Sequence, residues 1–200
     1  MVDCRYYEPT TVAEACALLA AEHGHGAKVV AGGQALALLL RRGQIKPSGL
    51  VSIQNITGLD SITTEEEGGK IGTMVTLHRL ESACNEHPML RTLSNAVKVV
   101  ADVQIRNRGT LGGSICEAHP ASDITVVLTA LNAAVKLVNT DGERIVQLRD
   151  FVTDAFTTTA KPGELLTEVI VPRFVFLRSV AVYRRFALRA GDFPVVGVGA

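Results

Sequence analysis

The sequence predicts an α+β fold: a small parallel βαβ unit followed by a larger, mostly antiparallel region. Three observations carry this expectation. Strand-length and helix-length apolar segments alternate over residues 2–53, the order that builds a parallel sheet. Beyond residue 58, strand-like segments are joined by short polar turns, one of them containing the Asp141-Gly142 pair that favours a hairpin. Two glycine pairs, Gly32-Gly33 and Gly112-Gly113, stand beside apolar runs where a turn must form.

The elements follow in order. Residues 2–7 form a short strand ended by Glu8-Pro9, and Thr11-Val12-Ala13-Glu14 has capping-box spacing ahead of an Ala- and Leu-rich helix to about residue 21. Gly24 and Gly26 close that helix, and residues 28–31 are too short and β-branched to be anything but a strand. Gly32-Gly33 turns the chain into a helix over 34–42, stopped by Gly43, and 50–53 is the next strand. Residues 59–64 and 70–72 read as strands around the acidic turn 65–69. Thr76 opens one helix and Pro88 a longer one through Leu90, Leu93, Ala96 and Val99. The second glycine motif precedes a helix over 122–131. A hairpin of 134–138 with 144–148 follows, and segments 165–171 and 179–185 complete the antiparallel region. The final apolar run, 195–200, has strand character and ends without a turn or polar tail, the pattern of a truncated chain.

Bulk properties remove several classes of function. The 200 residues are 47% hydrophobic and 20% charged, enough for a sizeable core. Twenty basic residues balance twenty acidic ones, so no charge footprint argues for nucleic acid or an anionic membrane. No apolar run approaches the length of a bilayer span, and the N-terminus lacks the basic start and apolar block of a secretory signal. The expected compartment is the cytoplasm. Cys4, Cys16, Cys84 and Cys116 are too scattered for a metal or iron–sulfur spacing and read as free thiols. His23 and His25 sit in a Gly-rich helix stop, so no metal site and no catalytic residue is assigned.

The chemistry concentrates in the glycine turns. A phosphate is held by several N–H dipoles, and glycine admits it without a Cβ in the way. Gly32 and Gly33 precede a helix whose N-terminus carries partial positive charge, with Gln34 and Ala35 as further donors. Alone this pattern describes a tight strand-to-helix turn as readily as an anion site: it is not GxGxxG, and the carboxylate of a Rossmann unit is absent from its place. The second turn, Thr110-Leu111-Gly112-Gly113-Ser114, adds two hydroxyl donors, with Arg106 and Arg108 before it and Asp123, an acceptor suited to a sugar hydroxyl, after it. Its plain alternative is a β-bulge with solvated arginines. Two such turns facing one ligand imply a diphosphate held from both sides, hence a dinucleotide, with FAD the foremost candidate.

The pairing of Lys28-Val29-Val30-Ala31-Gly32-Gly33-Gln34 with Arg106-Asn107-Arg108-Gly109-Thr110-Leu111-Gly112-Gly113-Ser114, then Ala118-His119-Pro120-Ala121-Ser122-Asp123, closely resembles the FAD-binding medium subunit of the molybdenum hydroxylases, the carbon monoxide dehydrogenase and xanthine dehydrogenase type. The opening Tyr6-Tyr7-Glu8-Pro9, the late Gly163-Glu164-Leu165-Leu166 and the segment from Tyr183 to Asp192 extend the likeness over nearly the whole chain. The resemblance implies a two-subdomain FAD-binding fold of the vanillyl-alcohol-oxidase-like (PCMH) type. Its units are 1–57 (a parallel βαβ subdomain), 58–176 (a second subdomain) and 177–200 (the start of a further domain). It implies that Lys28, Val29, Val30, Ala31, Gly32, Gly33, Gln34 and Ala35 wrap the diphosphate from one side, and Gly109, Thr110, Gly112, Gly113 and Ser114 from the other. It sets Asp123 at the ribose and adenosine end, Leu166 near the flavin, and Arg184 or Arg185 close to the ring, where the family often has Lys. It further implies a large molybdopterin-cofactor subunit and a small 2Fe-2S subunit as partners, as a dimer of heterotrimers. Electrons then pass from the clusters through FAD to a terminal acceptor. Two other readings are a self-contained FAD-dependent oxidase or reductase and a non-catalytic assembly module.

Overall fold

The computed structural model of the protein describes residues 4–22, 26–65, 68–86, 90–173, 175 and 181–200. Expectations at Val2, His23, Gly24, His25, Glu66, Glu67, Pro88, Ser179 and Val180 lie outside the described residues.

The first unit forms as its pattern dictates. Strand β1 (Arg5–Tyr7) leads into helix α1 (Val12–Ala21), whose N-cap Thr11 accepts from the Glu14 backbone N–H at 3.1 Å. Glu14 answers by accepting from the Thr10 N–H, one residue earlier than a capping box requires. Strand β2 (Lys28–Val30), helix α2 (Gln34–Arg41) and strand β3 (Gly49–Ser52) complete it. The three strands are parallel in the order β1-β3-β2.

The second unit is a five-stranded antiparallel sheet in the order β4-β5-β10-β6-β7. Its strands are β4 (Ile62–Glu65), β5 (Gly68–Gly72), β6 (Ala134–Asn139), β7 (Gly142–Gln147) and β10 (Leu165–Pro172). The β6–β7 turn forms at Asp141-Gly142, where the Asn139 side chain accepts from both N–H groups. Helices α3 (Leu77–Glu86), α4 (Arg91–Lys98), α5 (Val103–Arg108), α6 (Leu111–Glu117), α7 (Asp123–Ala130) and α8 (Leu148–Phe151) accompany this sheet. Strands β8 (Val152–Asp154) and β9 (Thr157–Thr158) form a small ribbon, and β11 (Tyr183–Phe186) with β12 (Val196–Gly199) a C-terminal hairpin.

One helix is added and two expectations change. The segment before Gly109 is a helix, α5, capped by the Asp102 carboxylate on the Ile105 N–H. Gly112 and Gly113 are the first turn of α6 rather than an open loop. The strand at 183–186 does not join the antiparallel sheet but pairs with 196–199, and the Tyr183 and Arg185 side chains hold that hairpin on Asp123 of α7.

Strand β10 serves two cores. Leu165 packs with Ala15, Cys16, Leu19, Val51, Ile53, Ile56 and Leu59 between α1 and the parallel sheet. Leu166, Val169 and Val171 pack with Leu111, Ile115, Leu128 and Phe151 beneath the helices of the second unit. The Cys16 thiol also donates to the Val138 carbonyl, so α1 is fastened to both units. No helix among the described residues is long and apolar enough to cross a membrane.

Candidate functional site

The two glycine turns, far apart in sequence, meet. A Cβ built on Gly32 would lie 2.0 Å from the Arg108 carbonyl oxygen and 3.1 Å from the Gly109 Cα. A Cβ on Gly109 would lie 3.9 Å from the Gln34 Cγ. Gly32 is therefore glycine because the backbone at 108–109 lies against it, and that contact holds the end of β2 against the end of α5.

The two turns are unlike in what they offer. Gly33 adopts φ +72°, left-handed, and opens α2 with no side-chain cap. The backbone N–H groups of Gly33, Gln34, Ala35 and Leu36 have no acceptor among the described residues. Space beside Gly33 is open, with only the Val30 Cγ1 reached at 4.0 Å. Gln34 donates its side-chain amide to the Gly32 carbonyl at 3.1 Å, which engages that oxygen beside the open donors. A left-handed glycine followed by a helix N-terminus is an arrangement whose free N–H dipoles can receive an anion.

At the second turn the donors are already bonded. Leu111 N–H donates to the Val75 carbonyl, Gly112 N–H to the Thr73 carbonyl, Gly113 N–H to the Thr110 hydroxyl and Ser114 N–H to the Thr110 carbonyl. The expectation that Gly112 and Gly113 leave N–H groups open to a phosphate is corrected on that account. Both glycines have packing reasons. A Cβ on Gly112 would stand 1.6 Å from the Thr73 hydroxyl, and one on Gly113 would stand 2.9 Å from the capping Thr110 Oγ1. What this turn contributes is a wall: the Gly109–Thr110 backbone, the exposed surface of Gly113 and the half-buried Ser114.

The arginines also divide. Arg106 is structural, donating to the Val100 and Ala101 carbonyls and standing 3.6 Å from Glu81. Arg108, whose backbone carbonyl lies at the junction of the turns, is exposed, and its side chain has no partner among the described residues. Lys28 is exposed on β2, and Val29 and Val30 are half-buried beside the parallel sheet's core.

Asp123, Leu166, Arg184 and Arg185 have other surroundings. Asp123 is 5% exposed at the first position of α7, and its carboxylate accepts from the Tyr183 hydroxyl and, at 3.0 Å, from Arg185 Nη1. Burial first, and then the adjacent carboxylate, push the Tyr183 hydroxyl up from its ordinary value, so it stays a donor well into the alkaline range. Leu166 is 4% exposed in the large core, which accounts for its type without a ligand. Arg184 points out of the hairpin and is exposed, whereas Arg185 is engaged. Sequence reasoning passed over Tyr183 and Thr73. Strand alternation around 183–185 is a signal that could have separated the two arginines. Among the described residues no group of three or more His, Cys, Asp or Glu side chains is placed to hold a metal ion.

The profile of the family described as "FAD binding domain in molybdopterin dehydrogenase" matches residues 2–174. The chain is 37% identical over 182 residues to the 6-hydroxypseudooxynicotine dehydrogenase complex subunit alpha of Paenarthrobacter nicotinovorans, covering 91% of this chain and 61% of that protein. It is 35% identical over 194 residues to the caffeine dehydrogenase subunit beta of a Pseudomonas strain, covering 96% and 65%. A crystal structure of Cu,Mo-CO dehydrogenase superimposes with a TM-score of 0.90 at 29% identity, covering all of this chain and 69% of that one. Quinoline 2-oxidoreductase from Pseudomonas putida 86 superimposes with a TM-score of 0.88, also at 29% identity, covering 96% and 66%. The chain thus spans about three fifths to two thirds of the length of these relatives.

Proposed function

Because the chain belongs to the family of FAD-binding domains of molybdopterin dehydrogenases, we propose that it is the flavin-binding part of the medium subunit of a molybdenum hydroxylase. In that role it relays electrons from iron–sulfur clusters on a small partner, through FAD, to a terminal acceptor. A large partner carries the molybdenum cofactor and the organic substrate, and the assembly is a cytoplasmic dimer of heterotrimers. FAD supplies the redox chemistry when bound; the protein supplies binding and orientation.

The observation that carries the reading is the set of open N–H groups at Gly33–Leu36, set against the Arg108–Gly109 backbone. These donors suit a diphosphate, whose charge the α2 dipole and the Arg108 guanidinium both favour. Gly33 leaves the approach free of a side chain, so the residues present fit the group. Lys28, Val29, Val30 and Ala31 form the strand that delivers the cradle, and Gly109, Thr110, Gly113 and Ser114 face it as the second wall. Gly112 supports that wall from behind, and Arg184 is the exposed cation proposed to meet the ring system. Residues 1–57 and 58–176 are the two halves that close on the cofactor, with 177–200 opening a further unit.

The reading is tested by flavin titration of the protein freed of its cofactor. FAD is expected to bind at least about a hundredfold more tightly than riboflavin, because two or more charge-assisted hydrogen bonds to the diphosphate are worth about 3 kcal/mol or more. ADP is expected to compete. Equal affinity for riboflavin and FAD would remove the diphosphate cradle. Purification without molybdenum- and iron-bearing partners, from cells expressing the neighbouring genes, would remove the assembly.

A further inference from the structure

Helix α2 has no buried residue, and none of its side chains belongs to either core. Its composition asks for the opposite, since residues 35–40, Ala-Leu-Ala-Leu-Leu-Leu, are all apolar. The topology explains the exposure. The connections β1-α1-β2 and β2-α2-β3 cross the sheet in opposite directions, so right-handed crossovers set α1 and α2 on opposite faces. The α1 side is closed by Leu165 of β10 and the core around it. Among the described residues nothing comparable closes over α2.

The helical repeat sorts these side chains into two stripes. Leu36 and Leu40, four apart, are the half-buried pair. Ala35, Leu38, Leu39 and the C-cap Arg42 have the i, i+3, i+4, i+7 spacing of a second face, on which Leu38 is 46% and Leu39 37% exposed and Arg42 is exposed at the end. Gly43 follows at φ +65° with open space where a Cβ would stand, so no neighbour crowds the end of the stripe. Charge says what fits there. Arg41, Arg42 and Lys46 are exposed without an ion-pair partner among the described residues, and residues 34–48 contain no Asp or Glu. A surface that covers two leucines beside three unpaired cations is apolar at its centre and carries carboxylates at its edge. A second copy of this chain fits poorly. Antiparallel pairing of α2 with itself brings Arg41 and Arg42 to the positive helix end of the other copy, and parallel pairing sets cation on cation. The stripe is also only about 10 Å long, far short of the roughly 800 Å² per partner of a standard interface, so its occupant touches it as one part of a wider contact.

We propose that the outward stripe of α2 is a docking surface for a different protein chain, one that presents an apolar patch bordered by carboxylates. Ala35 belongs both to the open N–H donors and to the stripe, and Leu38 and Leu39 lie only about 8–9 Å along the helix axis from Gly33. A chain seated on them is beside the cofactor site, and it is the chain that delivers electrons there. Only this last assignment rests on the function proposed above; the docking does not.

The test compares amide exchange in the chain alone and in the complex purified from cells expressing the neighbouring genes. Residues 35–43 are expected to exchange about tenfold or more slowly in the complex. Leu38→Glu with Leu39→Glu is expected to weaken retention of the cluster-bearing subunit about tenfold or more while FAD affinity stays within about twofold. The milder Leu38→Ala with Leu39→Ala moves retention the same way and guards against a folding loss. Flavin reduction by the organic substrate falls with retention, whereas reduction by dithionite does not. Arg42→Gln is expected to weaken retention less and to flatten its dependence on salt. A complex in which 35–43 exchanges as fast as in the chain alone would overturn the docking, and so would a Leu38→Glu, Leu39→Glu protein that holds its partner as the parent does. Full protection of 35–43 in the chain alone would also sink it, because a second copy or another part of the same polypeptide would then cover the stripe. A parent protein that binds FAD but captures no partner counts against the docking as well. Protection within a complex that binds no FAD supports the docking and removes only the assignment to electron delivery.

Discussion

Gly32→Ala is the sharpest perturbation of the site, because the structure says what the added methyl must displace. Its Cβ would stand 2.0 Å from the Arg108 carbonyl oxygen, where ordinary contact begins at 3.4 Å, so about 1.4 Å of separation has to open. The obstacle is backbone and cannot rotate away. Overpacking of this kind costs about 1–3 kcal/mol, which for a chain of this size lowers Tm by about 2–12 °C. The same displacement moves the 108–110 wall away from the cradle at Gly33–Ala35. Losing even one charge-assisted hydrogen bond to a diphosphate costs about 1.5–3 kcal/mol, or about ten- to hundredfold in FAD affinity. Gly33→Ala is the matched control. It meets nothing closer than 4.0 Å but sits at φ +72°, so its cost is the left-handed strain of about 1–2 kcal/mol with the junction of the turns intact. Thermal melts and flavin-fluorescence titrations of both proteins decide the matter. A Gly32→Ala protein that melts within about 1 °C of the parent and binds FAD within about twofold would refute the close approach of the turns.

Two further predictions concern the scaffold. Gly112→Ala sets a Cβ 1.6 Å from the Thr73 hydroxyl and is expected to destabilise by about 1–3 kcal/mol; adding Thr73→Ala should recover part of that loss, read as a non-additive double-mutant cycle in denaturant unfolding. Glu164 is held by Arg144 through paired hydrogen bonds of 2.7 and 2.8 Å, and these hold its carboxyl below the usual carboxylate range. A lowered folded value means the stabilisation is present above the unfolded value of about 4.3 and is lost as the pH falls through the folded one. Arg144 is partly exposed, so solvent screening reduces the pair to about 1 kcal/mol. Glu164→Gln should therefore lower Tm by about 2–4 °C at neutral pH, with the gap closing in acid; a gap that stays constant down to pH 3 would mean the charge is irrelevant.

Much of the architecture was legible because it is written in short-range chemistry. The parallel unit announces itself through Thr11 and Glu14 at a helix start, the β-branched run at 28–30, and a glycine pair before an apolar helix. Asp141-Gly142 makes its hairpin from the residues of the turn alone. Helix α5 was equally local, with Asp102 capping Ile105, yet the reading of elements passed from Val99 to the glycine motif without assigning the segment. The placement of β11 was not legible: a Tyr-Arg-Arg-Phe strand fits either the large sheet or a hairpin, and the contacts that decide are its pairing with Val196–Gly199 and the docking of Tyr183 and Arg185 on Asp123.

The site divides along the same line. By itself the sequence determined that two glycine turns exist, that the first opens a helix, and that the residues of the pair resemble those of the FAD-binding medium subunit of the molybdenum hydroxylases. Turn propensity and helix polarity depend on residues a few positions apart. Tertiary structure alone decided which backbone N–H groups are free. At the second turn Thr110 supplies the local acceptors for Gly113 and Ser114, but those for Leu111 and Gly112 come from Val75 and Thr73, more than thirty residues upstream, while among the described residues no acceptor reaches the Gly33 N–H. It decided likewise that Asp123 faces Tyr183 and Arg185, some sixty residues downstream, and that Arg184 is left exposed. A donor's availability depends on whether an acceptor lies within about 3 Å of it, and the long-range packing of the chain sets which acceptors arrive there.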